Sequence, residues 1–76
     1  MKQMIEIITR ALVDKPENVS VTEIGGKKIS IMELKVDKTD IGKVVGKHGR
    51  TANALRTILN AASVKLKKRV LLEIVE

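Results

Sequence analysis

Apolar side chains recur at three- and four-residue spacing through Met4, Ile5, Ile8, Ala11 and Leu12, so residues 2–14 read as an amphipathic helix with that stripe facing the core. Pro16 stops it, because the residue before a proline is pushed out of helical dihedrals. The period then falls to two. Residues 18–24 are rich in β-branched side chains and predict a strand, Gly25-Gly26 marks a turn, and residues 28–36 return as the second strand of a hairpin. The phase of that second strand is mixed. Ile29 and Ile31 point one way while Met32, Leu34 and Val36 point the other, which predicts either a bulge or a partly covered second face.

Asp37 and Thr39 are both candidate N-caps for a short helix that carries Ile41, Val44 and Val45 and runs into Gly46. Beyond Gly49 a second helix is predicted over about 50–62, with Ala52, Leu55, Ile58, Leu59 and Ala62 on one face. The basic segment Lys65-Leu66-Lys67-Lys68-Arg69 leads into a last strand, 69–75, with Val70, Leu72 and Ile74 on one side. The order αββααβ predicts an α+β fold: a three-stranded sheet with helices packed on one face. At 76 residues the chain is one domain, 1–76, with no room for another.

Charge sharpens this picture. The net charge is +6, yet residues 1–40 carry seven basic and seven acidic side chains and balance at zero. All the excess lies in residues 41–76, where Lys43, Lys47, Arg50, Arg56, Lys65, Lys67, Lys68 and Arg69 face only Glu73 and Glu76. So one-sided a field points to a polyanion: RNA, DNA or anionic lipid. There is no Phe, Tyr or Trp, which excludes the RRM, OB and cold-shock modes that stack bases on aromatic platforms. A nucleic-acid reader built this way must hold the backbone and the base edges instead. The absence of cysteine removes disulfides, thiolate metal sites and thiol nucleophiles, and predicts a reducing, cytoplasmic setting. Glu6, Thr9 and Arg10 break the N-terminal apolar run, so neither a secretory leader nor a membrane span is expected.

The chemistry concentrates in Ile41-Gly42-Lys43-Val44-Val45-Gly46-Lys47-His48-Gly49-Arg50-Thr51, at the junction of the two later helices. The G-x-x-G spacing lets backbone turn tightly and approach a ligand with no Cβ in the way. The helix that follows aims free N–H groups and a positive dipole end at whatever fills the loop. Lys47 and Arg50 add charge, His48 adds a donor or a stacking ring, and Ile41, Val44 and Val45 offer an apolar floor. That combination suits a phosphate backbone. G-x-x-G alone is common in turns; basic middle residues between two helices make it specific.

The run from Asp40 to Leu59 resembles the KH-domain signature, an apolar residue and Gly, then three residues to the GxxG, then an amphipathic helix. The αββααβ order is similar to the type II KH arrangement, and the resemblance covers essentially the whole chain. Gly42 to Ala52 looks most like the stand-alone bacterial KH proteins of the KhpA type. The resemblance implies binding of single-stranded RNA as a small RNA chaperone or regulator, and a homodimer. It also implies pairing with a second KH protein (KhpB, also called EloR) linked to cell elongation and so to cell shape. It further implies that Gly46 and Gly49 provide close approach, that Lys47 and His48 face phosphates, and that Ile41, Val45 and Thr51 line the groove. Gly42, Lys43 and Arg50 complete the motif, and Lys65, Lys67 and Lys68 are candidates for a rim contact. His48 departs from the family, which often has glutamine there; it adds a titratable ring to an otherwise intact clamp.

Other classes fare worse. No Walker loop or dinucleotide fingerprint is present, and His48 has no second histidine or cysteine to form a metal or catalytic set, so no enzyme, no cofactor and no small-molecule substrate is expected. No helix presents an obvious row of base-reading side chains for duplex DNA. The serious rival is a protein adaptor that pairs with another KH chain, its RNA grip incidental. Leu71 and Val75 lie opposite the Val70, Leu72 and Ile74 face, and a core this thin gains from association, so a homodimer is expected on these grounds too.

Overall fold

The computed structural model describes residues 2–75. Its elements are α1 (Lys2–Leu12), β1 (Ser20–Gly25), β2 (Ile29–Lys35), α2 (Ile41–Val45), α3 (Arg50–Leu66) and β3 (Arg69–Val75). Single 3₁₀ turns at Pro16–Asn18, Lys38–Asp40 and Lys47–Gly49 connect them. The strands form one mixed sheet in the order β1-β2-β3, with β1 antiparallel and β3 parallel to the central β2. The helices pack on one face, as a type II KH-like α+β fold requires.

Strand alternation decides which side chains meet the helices. Val21 of β1, Ser30, Met32 and Leu34 of β2, and Val70 and Leu72 of β3 point inward and are buried. They pack with Ile5 of α1, Val44 of α2, and Leu55 and Leu59 of α3, while Val13, Val19 and Val36 close the core from the connecting segments. Each such aliphatic side chain contributes about 1.5–3 kcal/mol by leaving water.

The hairpin pairs one residue to one from Ser20↔Lys35 to Gly25↔Ser30, so there is no bulge. The mixed phase of β2 arises because its other face is apolar too. Ile24, Ile31 and Leu71 form a row across the open side of the sheet, with Ile29 half-exposed beside them.

The stripe of α1 is corrected by the structure. Ile5 and Thr9 are the buried positions, Met4 and Ile8 are partly covered, and Ala11 and Leu12 are exposed. The helix is rolled toward the Ile5, Thr9, Val13 line because Val13, just past its end, is the residue that seals against the core. α3 also runs four residues further than its apolar pattern predicts, to Leu66. It ends where Lys67 turns left-handed (φ 55°, ψ 38°), and the Lys68 N–H then bonds back to the Ser63 carbonyl at 3.1 Å. Ser63 fastens the return: its hydroxyl donates to the Leu59 carbonyl and accepts the Val70 N–H, each at 2.9 Å.

Candidate nucleic-acid interface

α2 is anchored before it reaches the loop. Asp37 caps the turn ahead of it, its carboxylate accepting from the Thr39 N–H at 3.0 Å and the Thr39 hydroxyl at 2.7 Å. Those bonds, the hydroxyl first, hold the Asp37 carboxyl below its usual pKa. Asp40, 1 % exposed, then accepts from the backbone N–H groups of Asp14 and Lys15 at 3.2 and 3.0 Å, which ties the end of α1 to the start of α2. Lys43 completes this knot. Its ammonium donates to Asp14 and lies 3.7 Å from Asp40, and the bond to Asp14 raises its pKa above the usual lysine value.

α2 ends at Gly46, whose N–H donates to the Gly42 carbonyl at 2.9 Å. Gly46 takes φ 79°, ψ 172°, a region open essentially to glycine alone. Lys47–Gly49 follows as a single tight turn, closed by Gly49 N–H to the Gly46 carbonyl at 3.1 Å. His48 and Gly49 are both left-handed, at φ 56° and 74°. Three positive φ values in four residues fold the loop outward and leave the Lys47 and His48 side chains exposed. No side chain caps α3, so its first N–H groups remain available beside the loop.

The predicted site residues divide into four groups. Gly46, Lys47, His48, Gly49, Arg50 and Thr51 form one surface at the loop, with Thr51 packed on the Gly46 backbone. Ile41 and Val45 are partly buried behind it, Gly42 is exposed, and Val44 is wholly in the core, so it is no part of a floor for bases. Lys43 is taken up by Asp14 and Asp40 rather than free beside the loop. Lys65, Lys67 and Lys68 lie at the far end of α3, about 25 Å away along a 17-residue helix.

A groove whose lining was not foreseen from sequence lies between α3 and the edge strand β3. Arg56, Asn60, Val70, Leu71 and Leu72 line it, enclosing about 230 Å³. Arg56 and Asn60 are four apart on the flank of α3 next to its buried Leu55 and Leu59. A polar pair one step beyond each apolar residue was the available signal. It gains meaning only once β3 is known to be an unpaired edge. Among the described residues, no three His, Cys, Asp or Glu side chains converge as metal ligands, and no helix is long and apolar enough to cross a membrane.

The model of the KhpA/KhpB KH domain matches residues 2–74. The chain is similar to proteins named RNA-binding protein KhpA in several bacteria. It is 52% identical to that of Clostridium perfringens over 75 residues, covering 99% of this chain and 100% of the relative. It is 51% identical to that of Aquifex aeolicus over 76 residues (100% and 96% covered) and 45% identical to that of Borreliella burgdorferi over 74 residues (97% and 90%). No solved structure gives a significant match. A whole-chain family match, relatives sharing half their residues, and a GxxG turn between two helices on a βααβ core together make this chain a member of the KhpA/KhpB KH-domain family, a non-enzymatic one.

Proposed function

We propose that this chain is a single KH domain that binds single-stranded RNA through the Gly46–Gly49 turn. One observation carries the reading: exposed Lys47 and His48 sit between two positive-φ glycines at the uncapped start of a 17-residue helix. Backbone N–H groups, the helix dipole and two or three side-chain charges converge there, which is what a phosphodiester chain needs. Family relatives named for RNA binding support it. Gly46 and Gly49 admit the backbone, Lys47, His48 and Arg50 hold phosphates, and Val45 and Thr51 flank the entry. The bases pass into the groove, where Arg56 and Asn60 offer donors to their edges. A flexible single strand can splay its bases this way, whereas a paired helix cannot.

The working form we propose is a cytoplasmic homodimer, or a pair with a second KH protein of the KhpB type. It would act as a small RNA chaperone or regulator on transcripts tied to cell shape. Half-exposed Ile58 and Leu66, with Met4 and Ala62, make an apolar strip on the α1 side of α3, away from Arg56 and Asn60. Association there leaves the RNA groove open. The same strip favours the adaptor reading, in which RNA binding is incidental.

Fluorescence-anisotropy titration with a short single-stranded RNA separates the two. A clamp using Lys47, Arg50 and Arg56 gives a slope of log K against log salt of about −2, at about −0.7 per phosphate on a single strand. A flat salt response, or competition by duplex DNA as strong as by RNA, contradicts the reading. Light scattering that returns only an 8.4 kDa species at micromolar concentration contradicts the homodimer.

A further inference from the structure

Two basic segments far apart in sequence meet at the end of the molecule opposite the GxxG turn. Lys27 and Lys28 form the β1–β2 turn, Lys65 lies in the last turn of α3, Lys67 and Lys68 form the α3–β3 turn, and Arg69 opens β3. Parallel pairing of β2 with β3 sets Ile29 beside Arg69, and the Arg69 N–H donates to the Lys28 carbonyl at 2.9 Å. The two turns are therefore fastened side by side. Five of the six side chains are exposed and Lys68 is partly so. None of them joins an ion pair among the described residues, whereas Arg10, Lys15 and Lys43 are all taken up by acids. Glu23, which lies toward this end on β1, is held by the Ser30 hydroxyl at 2.9 Å. The groove lined by Arg56, Asn60 and Val70 opens beside Arg69 of this cluster, with Arg56 as a charge on its α3 wall.

Resting on the RNA-binding reading above, we infer that this distal cluster is a second phosphate-binding site. It takes the backbone of the same RNA strand after it leaves the groove, so the chain grips RNA at two points. The spacing supports this. α3 spans about 25 Å, which four nucleotides cover only when fully stretched from end to end, so a tetranucleotide held at the loop by its inner phosphates stops short of the cluster. That span also exceeds three Debye lengths at physiological salt, about 8 Å each, so the distal lysines cannot assist a short RNA at the loop through space. They act only on a strand long enough to reach them. Arg56 in the groove, and Arg69 directly before the groove-lining Val70, put charge between the loop and the cluster, while Lys65 sits on the α1 side of α3; that placement favours one extended polyanion over a flat anionic surface.

The test is the variant Lys27→Glu/Lys28→Glu, titrated against a tetranucleotide and a twelve-nucleotide single-stranded RNA. Both side chains are solvent-exposed, so the fold should hold, as a circular dichroism melt would show. The inference expects the variant to lose about tenfold affinity for the long RNA, the scale of charge-assisted phosphate contacts. Its salt slope on that RNA becomes shallower by about 1.4, two phosphates at about 0.7 each. Affinity for the tetranucleotide stays within about twofold, because of the screening just described. Comparing variant with wild type on the same oligonucleotide cancels the extra registers that a longer RNA offers. Equal losses on both lengths, or none on the long RNA, overturn the inference while leaving the loop reading intact. Binding to phosphatidylglycerol vesicles that the variant loses, with long-RNA affinity unchanged, assigns the cluster to a membrane surface and overturns it too. A wild type that binds neither RNA removes the RNA reading itself, and this inference with it.

Discussion

The hydroxyl of Thr51 occupies the space that a side chain at Gly46 would need. A Cβ on Gly46 would run into Thr51 Oγ1 and come within 2.8 Å of both the Thr51 Cβ and its backbone nitrogen. Gly49 differs, since a Cβ there meets nothing nearer than Asn53 Nδ2 at 3.9 Å. Gly46→Ala is therefore expected to cost about 3 kcal/mol or more, combining a glycine-only backbone region with a clash. Removing the Thr51 side chain relieves only part of this, because the backbone nitrogen remains. Urea denaturation of Gly46→Ala, Thr51→Ala and the double variant should show a favourable coupling of about 1 kcal/mol. Additive effects would mean that the two residues do not press on each other.

Asp40 and Lys43 answer for different things. Asp40→Ala removes the buried carboxylate that accepts from the Asp14 and Lys15 N–H groups and should cost about 1–3 kcal/mol in unfolding free energy. Lys43→Ala breaks an exposed pair with Asp14 and should lower the melting temperature only slightly. Because its ammonium is already engaged, Lys43→Ala should change RNA affinity less than about threefold, well below the effect expected of a direct phosphate contact. A larger loss returns Lys43 to the binding surface.

Thr9 is fully buried, and its hydroxyl is the one buried side-chain polar atom without a hydrogen-bond partner among the described residues. Thr9→Val replaces that hydroxyl with a methyl group of the same shape. Stability should rise by about 1 kcal/mol, the lower range for an unsatisfied buried group. A destabilised variant would show that the hydroxyl has a partner after all.

Much of this was legible in the sequence, for identifiable reasons. β3 was placed residue for residue because Val70, Leu72 and Ile74 recur at every second position in a run bounded by the basic segment before Arg69. The GxxG turn stood out because glycines at its ends and bases at its middle serve no core. The roll of α1 was hidden because Thr9 is nominally polar and the sealing residue, Val13, lies outside the helix. The length of α3 was hidden because Ser63 and the basic run from Lys65 read as a connecting segment, although Leu66 keeps the spacing of Ile58 and Ala62. The engagement of Lys43 depends on Asp14, 29 residues away, and only the packing of α1 against α2 brings them together.

Two ionisable groups set the expected pH window. The Asp37 pKa is lowered below 3.8 by Thr39, so its stabilisation is complete above about that pH and lost as pH falls through the lower folded value. The Lys43 pKa is raised above 10.5 by Asp14, so its contribution is complete below about that pH and lost as pH rises through the higher folded value. Melting temperatures should thus show a plateau between about pH 4 and 10 as far as these groups are concerned. Asp37→Asn should fall less steeply than wild type below pH 4, and an identical acid limb in both would remove Asp37 from the account.

The central claim is that the Gly46–Gly49 turn holds the RNA, and the variant Lys47→Asp/His48→Asp tests it most directly. Both side chains are exposed, so the core is untouched. Aspartate tolerates the left-handed conformation of His48 better than most residues, and acids near the start of α3 suit its dipole. The fold should therefore persist, with a circular dichroism melt close to wild type. Binding should not, because two positions that attract phosphate now repel it. At about 1–2 kcal/mol for each reversed contact, affinity for a short labelled single-stranded RNA falls roughly ten- to a thousandfold in an anisotropy titration. A folded double variant that binds this RNA as tightly as wild type would contradict the account and move the binding site away from the turn.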